Sequence, residues 1–230
     1  MVRRLNRREF VRTASAGVSL LSTSFSTLGQ RRSARNDFGS RPNLLFILAD
    51  DLGWGDLSCY GRPDYQTPNL DRLAKQGTRF SNAYSASAVC TPTRCGFITG
   101  RYPGRLKVGL EEPLISTNDR VGLDPAHPTI ASLLKKSGYE TALLGKWHLG
   151  TRPEWGPNAQ GFDEFFGILS GAGDYFLHKT GQGAPDLFEK LTPVELNGYL
   201  TDVLSERAVA FVSLRRQAPF YLSLHYTAPH

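Results

Sequence analysis

The sequence predicts an α/β protein built on a mostly parallel sheet with helices on both faces. Three observations carry that prediction. Continuous apolar runs end abruptly in charged or titratable residues, helix start and stop signals lie between them, and the two alternate along residues 42–230. Asn43 to Ala49 (NLLFILA) is the first such run, as expected of a strand covered on both faces, and it ends in Asp50-Asp51.

The remaining elements follow in order. Thr67 to Gly77 (TPNLDRLAKQG) has an N-cap Thr, Pro at the first helical position and a closing Gly, so it reads as a helix. Arg79 to Tyr84 reads as another strand. In VCTPTRCGFITG, Pro92 in the first turn and Gly100 at the end predict a helix, with Cys90 just ahead of it at its positive end. Pro128 to Lys136 (PTIASLLKK) is an amphipathic helix closed by Ser137-Gly138, and Tyr139 to Leu144 (YETALL) is a strand running into Gly145-Lys146-Trp147-His148. Tyr199 to Arg216 carries Leu200, Val203, Leu204, Ala208, Phe211 and Val212 at helical spacing. Pro219 to Tyr226 (PFYLSLHY) is a final strand, leading to Thr227-Ala228-Pro229-His230.

In open parallel sheets, ligands bind beyond the carboxyl ends of the strands. Here one strand ends in two carboxylates, another in Lys146 and His148, and a third in His230. Each alone has an ordinary reading as a cap or a solvated loop. Their arrival at one rim points to an active site. Cys90 adds to it, because a helix start offers unpaired N–H groups and the positive end of the dipole. Arg94, one turn on, brings a guanidinium suited to a tetrahedral oxyanion. Asp50 and Asp51 supply hard oxygen ligands for Ca²⁺ or Mg²⁺, not soft ligands for zinc. Together these describe a device for a sulfate or phosphate ester.

Charge is distributed unevenly. Residues 1–41 hold nine arginines against Glu9 and Asp37, so this segment carries more than the whole chain's net charge of +6. The rest is close to neutral, which argues against a nucleic-acid-binding face. Arg7-Arg8 followed by Phe10 and a mildly apolar Ser/Thr/Ala-rich run reads as a twin-arginine export signal over residues 1–30, with a flexible spacer over 31–41. That run is too short and polar to span a bilayer stably. A periplasmic or secreted bacterial protein is therefore expected. Cys59, Cys90 and Cys95 match neither a disulfide framework nor a zinc pattern, although a Cys59–Cys95 bridge is open.

Cys90-Thr91-Pro92-Thr93-Arg94 resembles the Cys-x-Pro-Ser/Thr-Arg signature of the type I sulfatases, in the alkaline phosphatase superfamily. The resemblance spans residues 42–230 through further ordered motifs: Pro42-Asn43 to Asp50-Asp51-Leu52-Gly53, Thr67 to Asp71, Ser81 to Tyr84, Thr99-Gly100-Arg101, Gly145 to Gly150, Gly161 to Phe165 and Ala228-Pro229-His230. It implies that a formylglycine-generating enzyme oxidises Cys90 to Cα-formylglycine, which hydrates to a geminal diol. One hydroxyl then attacks sulfur, and proton loss from the other re-forms the aldehyde and expels sulfate. A thiol would leave a thiosulfate ester with no easy exit.

By the same resemblance, Asp50 and Asp51 bind the divalent metal together with the side chain at position 90. Arg94 holds the diol, and His148 bonds it and assists proton removal. Lys146 and His230 contact the sulfate, and Ser170 polarises the diol. Asp174 and His178 are weaker candidates for facing the substrate. The implied substrate is a sulfated small molecule or glycan. Sulfatases usually continue with a later Asp-Asn pair and another lysine, so an amino-terminal fragment with a fold incomplete at its C-terminus is expected. The rival readings are a phosphonate or phosphodiester hydrolase of the same superfamily, and a non-catalytic truncated homologue.

Overall fold

The computed structural model describes residues 41–114 and 120–230. The expected export signal and nearly all of the spacer lie outside the described residues. Six strands form one sheet in the order β1-β6-β2-β3-β4-β5. They are β1 (Leu44–Asp50), β2 (Glu140–Gly145), β3 (Glu164–Gly167), β4 (Phe188–Glu189), β5 (Thr192–Pro193) and β6 (Phe220–Pro229). The pairs β1–β6, β6–β2 and β2–β3 are parallel, and the short β4 and β5 close the far edge antiparallel. The helices are α1 (Pro68–Gln76), α2 (Cys90–Thr99), α3 (Ile130–Lys136) and α4 (Leu200–Ser213).

Strand alternation divides the core into two layers. Leu143 and Tyr221 face one side, packed with Cys95 and Ile98 of α2 and Ala131 of α3. Ala142, Leu144, Leu222 and Leu224 face the other, against Leu200, Leu204 and Ala208 of α4. Those three helical residues recur at i, i+4 and i+8, so one stripe of α4 is buried. Each fully buried leucine contributes roughly 2 kcal/mol of transfer free energy. Thr129 caps α3 in a capping box: its hydroxyl accepts from the Ser132 amide at 3.0 Å, and Ser132 Oγ returns to the Thr129 amide at 2.9 Å.

The structure departs from expectation in three places. Arg79 to Tyr84 forms no strand; Phe80 and Tyr84 are exposed, and the Tyr60 hydroxyl donating to the Phe80 carbonyl at 2.8 Å ties the segment to a turn instead. A strand needs a pairing partner, and none of the described strands offers it one. Thr67 does not cap α1, because its hydroxyl is engaged by Ser58 at 2.8 Å and Asp71 at 3.0 Å. All three cysteines are free, so the open Cys59–Cys95 bridge is not formed. Burial pushes the Cys95 thiol up to about 11, which leaves it inert.

Among the described strands, β1 pairs only with β6, and Leu45 and Ile47 on it are half exposed. No helix among the described residues is long and apolar enough to cross a membrane.

Candidate active site

The three carboxyl-terminal strand ends meet as the sequence implied. Asp50 closes β1, Lys146 follows β2 directly, and His230 follows β6. β6 lies between the other two, so neighbouring strands deliver all three side chains to one rim. The close approach at this rim requires glycine. Gly145 has φ +112°, and a Cβ there would sit 1.8 Å from the His225 carbonyl oxygen. The Lys146 amide donates to that same carbonyl at 2.9 Å, which fixes where the lysine leaves the sheet.

The Asp50 carboxylate is the centre of the charge arrangement. Its Oδ2 receives the fully buried Lys146 ammonium, lies 3.4 Å from Arg94 Nη2 and 3.7 Å from His230 Nδ1. Asp51, with its side chain largely exposed, sits 3.8 Å from His230 Nε2. Asp51 adopts φ +63°, a left-handed conformation that Asp tolerates better than most residues. That turn aims two consecutive carboxylates at the same region.

Cys90 is the first residue of α2, and its N-cap, Val89, leaves the helix start without a side-chain cap. The Thr91 hydroxyl accepts from the Leu114 amide at 2.9 Å, which pins the loop beside the helix start. A cavity of about 280 Å³ brings Cys90 and Arg94 together with Asp50, Asp51 and Ser87. Arg94 is 1% exposed. Its Nη1 donates to the Lys146 carbonyl at 2.6 Å and lies 3.1 Å from His225 Nδ1, while Nε has no protein partner. Burial opposes its charge and Asp50 supports it. Two buried cations, Lys146 and Arg94, thus share the one buried carboxylate of Asp50.

His148 also has left-handed backbone, φ +56°, and is buried. Its Nε2 donates to the Leu114 carbonyl at 2.7 Å, so Nδ1 carries the lone pair and has no protein partner. Burial, aided by the charges of Lys146 and Arg94, lowers its pKa to about 4. The ring is therefore a neutral base with an unpaired acceptor.

Ser170 is placed differently. Its hydroxyl donates to the buried Asp186 carboxylate, with the Ala172 carbonyl also 2.9 Å from Oγ. Asp186 also accepts from the Leu169 and Ser170 amides at 3.1 and 3.2 Å. This knot holds the turn on which Gly171 sits under the His148 ring, where a Cβ would be 2.4 Å from Cε1. Asp174 caps the Phe176 amide at 2.8 Å, and His178 Nε2 lies 3.1 Å from the Gly198 carbonyl. Tyr175, next to Asp174, donates its hydroxyl to the His230 carbonyl at 2.9 Å. Sequence reasoning missed Asp186, Tyr175 and His225. For His225 a signal existed: polar residues alternate through the otherwise apolar PFYLSLHY.

Asp50 and Asp51 are the hard oxygen donors that Ca²⁺ and Mg²⁺ take. Among the described residues, however, no group of three or more His, Cys, Asp or Glu side chains is placed to hold a metal ion. Two carboxylates match such an ion in kind but fall short of its usual six or more oxygens in number.

Comparison with known proteins bears on this geometry. The sulfatase family profile matches residues 42–230. The chain is 44% identical over 165 residues to an N-acetylgalactosamine-6-O-sulfatase of Bacteroides thetaiotaomicron, covering 66% of this chain and 30% of that protein. It is 35% identical over 206 residues to the N-acetylgalactosamine-6-sulfatase of Homo sapiens, covering 82% and 40%. Among solved structures, Ps i-CgsB in complex with k-i-k-neocarrahexaose superposes with a TM-score of 0.76 at 39% identity, covering 83% of this chain and 46% of that one. BT4656 in complex with D-glucosamine-2-N,6-O-disulfate gives 0.67 at 35%, covering 83% and 35%. The chain thus spans less than half the length of each of these relatives. With the profile covering the whole described sheet and every strand end of the rim, the chain belongs to the sulfatase family.

Proposed function

We propose that these residues form the nucleophile and anion-binding half of a sulfuric ester hydrolase site acting on carbohydrate sulfates. The observation that carries the reading is the convergence of Cys90, Asp50, Asp51, Arg94, Lys146 and His230 on one rim, with His148 within electrostatic reach of Lys146, Arg94 and Asp50. Sulfatases generally act through a formylglycine and a divalent metal. In this chain, position 90 is the residue that would carry the formylglycine, and Asp50 and Asp51 would contribute two metal ligands. The metal, when bound, would lower the pKa of the attacking hydroxyl and neutralise sulfate oxygens.

The remaining roles belong to the chain's own side chains. Arg94 holds the position-90 hydroxyls and relieves charge on them. Lys146 and His230 bind the sulfate, and His148 accepts a proton at Nδ1. The carbohydrate preference is supported by the N-acetylgalactosamine sulfatases and the sugar-bound structures among the relatives. Ser170 is read as a support for His148 and not as a substrate contact, because Asp186 occupies its hydroxyl. Export across a bacterial inner membrane is supported by the Arg7-Arg8 segment.

Two measurements test the reading. Mass spectrometry of the peptide around Cys90, from chain expressed with a formylglycine-generating enzyme, should show loss of H₂S and gain of O. Hydrolysis of sulfate and phosphate esters sharing one leaving group should favour sulfate. Because the metal ligands counted above are too few, turnover is expected from a form extended to the relatives' length and not from residues 1–230 alone. Preference for the phosphate ester, or equal turnover by both lengths, would overturn it.

A further inference from the structure

Beneath the rim, β6 carries a row of buried polar side chains to which the reaction above gives no role. Tyr221, Ser223 and His225 are 2%, 0% and 1% exposed, and the two-residue period of a strand puts them on one face. A parallel strand covered on both sides is usually apolar throughout, and Leu222 and Leu224 on the opposite face obey that rule. Burying polar groups is unfavourable unless each is paired. Here each is paired, in a line that leads to Arg94. The Tyr221 hydroxyl donates to Ser223 Oγ at 3.2 Å, Ser223 Oγ lies 2.7 Å from His225 Nε2, and His225 Nδ1 lies 3.1 Å from Arg94 Nη1.

His225 Nδ1 faces two groups, Arg94 Nη1 at 3.1 Å and the Lys146 carbonyl at 3.2 Å. A guanidinium has donors only, so the contact with Arg94 is a hydrogen bond when Nδ1 is the acceptor and the ring proton sits on Nε2, facing Ser223 Oγ. Phe46 and Phe97 flank the ring edge-on, at centroid distances of 6.1 and 5.9 Å, and shield it from water. Burial and the Arg94 charge favour the neutral ring, with a pKa lowered to about 3. Arg94 Nη1 also donates to the Lys146 carbonyl, so the histidine and that carbonyl fix the plane of the guanidinium while Nη2 faces Asp50.

We propose that His225, anchored by Ser223, is a positioning residue that sets the orientation in which Arg94 presents its guanidinium to the nucleophile at position 90. The importance of that orientation for turnover rests on the sulfatase reading; the hydrogen bond itself does not. Packing alone would make the ring replaceable by any apolar side chain of similar shape. Positioning makes the Nδ1 acceptor the element that matters.

The test uses the ¹⁵N-labelled chain and two variants. His225→Asn keeps an acceptor close to where Nδ1 stood, whereas His225→Leu fills the space without one. Long-range ¹H–¹⁵N spectra of the wild type should show a neutral, Nε2-protonated His225 from about pH 5 to pH 8. The Arg94 side-chain N–H signals should exchange with solvent about tenfold faster in His225→Leu than in wild type, and at near-wild-type rates in His225→Asn. In a form that turns over sulfate ester, His225→Leu should lower kcat about 10- to 100-fold with KM little changed, and His225→Asn should restore most of it. A cationic or Nδ1-protonated ring in the wild type would overturn the proposal, as would Asn and Leu variants that behave alike. Should a variant fail to fold, the wild-type tautomer decides. Absence of turnover in a form extended to the relatives' length would count against the sulfatase reading, with the exchange rates still deciding this one.

Discussion

The carboxylate of Asp50 and the ammonium of Lys146, 96 positions apart in the chain, form a buried ion pair at the carboxyl ends of β1 and β2. Arg94 approaches the same carboxylate oxygen, so one anion offsets two buried cations. Removing it is expected to leave both uncompensated in a poorly solvated site. Asp50→Asn should therefore destabilise the chain by about 3–5 kcal/mol, read from urea unfolding. Combining it with Lys146→Met should recover a measurable part of that loss. A single-variant loss below about 1 kcal/mol would show that the pair is well solvated.

Acid sensitivity follows from two buried histidines. His148 has a pKa of about 4, facing Lys146, Arg94 and Asp50, and His225 one of about 3, facing Arg94. Both values lie below the roughly 6.5 of an unfolded histidine. Above that value the ring is neutral in both states and its stability contribution is complete. As pH falls below it, the unfolded chain binds protons that the folded chain refuses. Stability should drop by about 1.4 kcal/mol per pH unit for each histidine, from about pH 6.5 toward its folded pKa. His225→Asn should remove one share of that slope. An unfolding midpoint independent of pH in this window would contradict both values.

Much of this was legible in the sequence because buried strands betray themselves locally. The apolar runs before Asp50 and Lys146 and the Pro and Gly that bracket α2 are features of neighbouring residues. What stayed hidden depended on distant partners. Arg79 to Tyr84 has strand composition but no strand to pair with, which no local pattern reveals. The two-residue β4 and β5 are too short to show a period. Ser170 is expected by resemblance to polarise the diol, and its bond to Asp186, 16 positions away, has no local signal in the sequence. His225 was passed over inside a strand that otherwise read as core.

The Ser170–Asp186 bond gives a direct way to separate support from substrate contact. Removing the hydroxyl leaves a buried carboxylate short of one donor, although the Leu169 and Ser170 amides remain. Ser170→Ala should cost about 1–3 kcal/mol in thermal or urea unfolding. Any loss of turnover in an active form should track the displacement of His148 and appear in kcat. If stability is unchanged and KM alone rises, Ser170 touches the substrate and the hydroxyl must leave Asp186.

Asp51 offers the cleanest test of the metal site, because its backbone and its charge can be separated. The left-handed φ of +63° is tolerated by Asn almost as well as by Asp, and the side chain is largely exposed. Asp51→Asn should therefore leave the melting temperature in chelator unchanged. Ca²⁺ should raise the melting temperature of the wild type, and Asp51→Asn should abolish that rise. With only two carboxylates contributed by the described residues, that rise should need Ca²⁺ at about 10⁻⁴–10⁻³ M, the range of ligand-poor sites. Asp51→Ala should show the same loss of response plus a lower melting temperature, since alanine strains at this φ. A Ca²⁺ response that survives Asp51→Asn would place the cation elsewhere and detach the paired carboxylates from the chemistry at position 90.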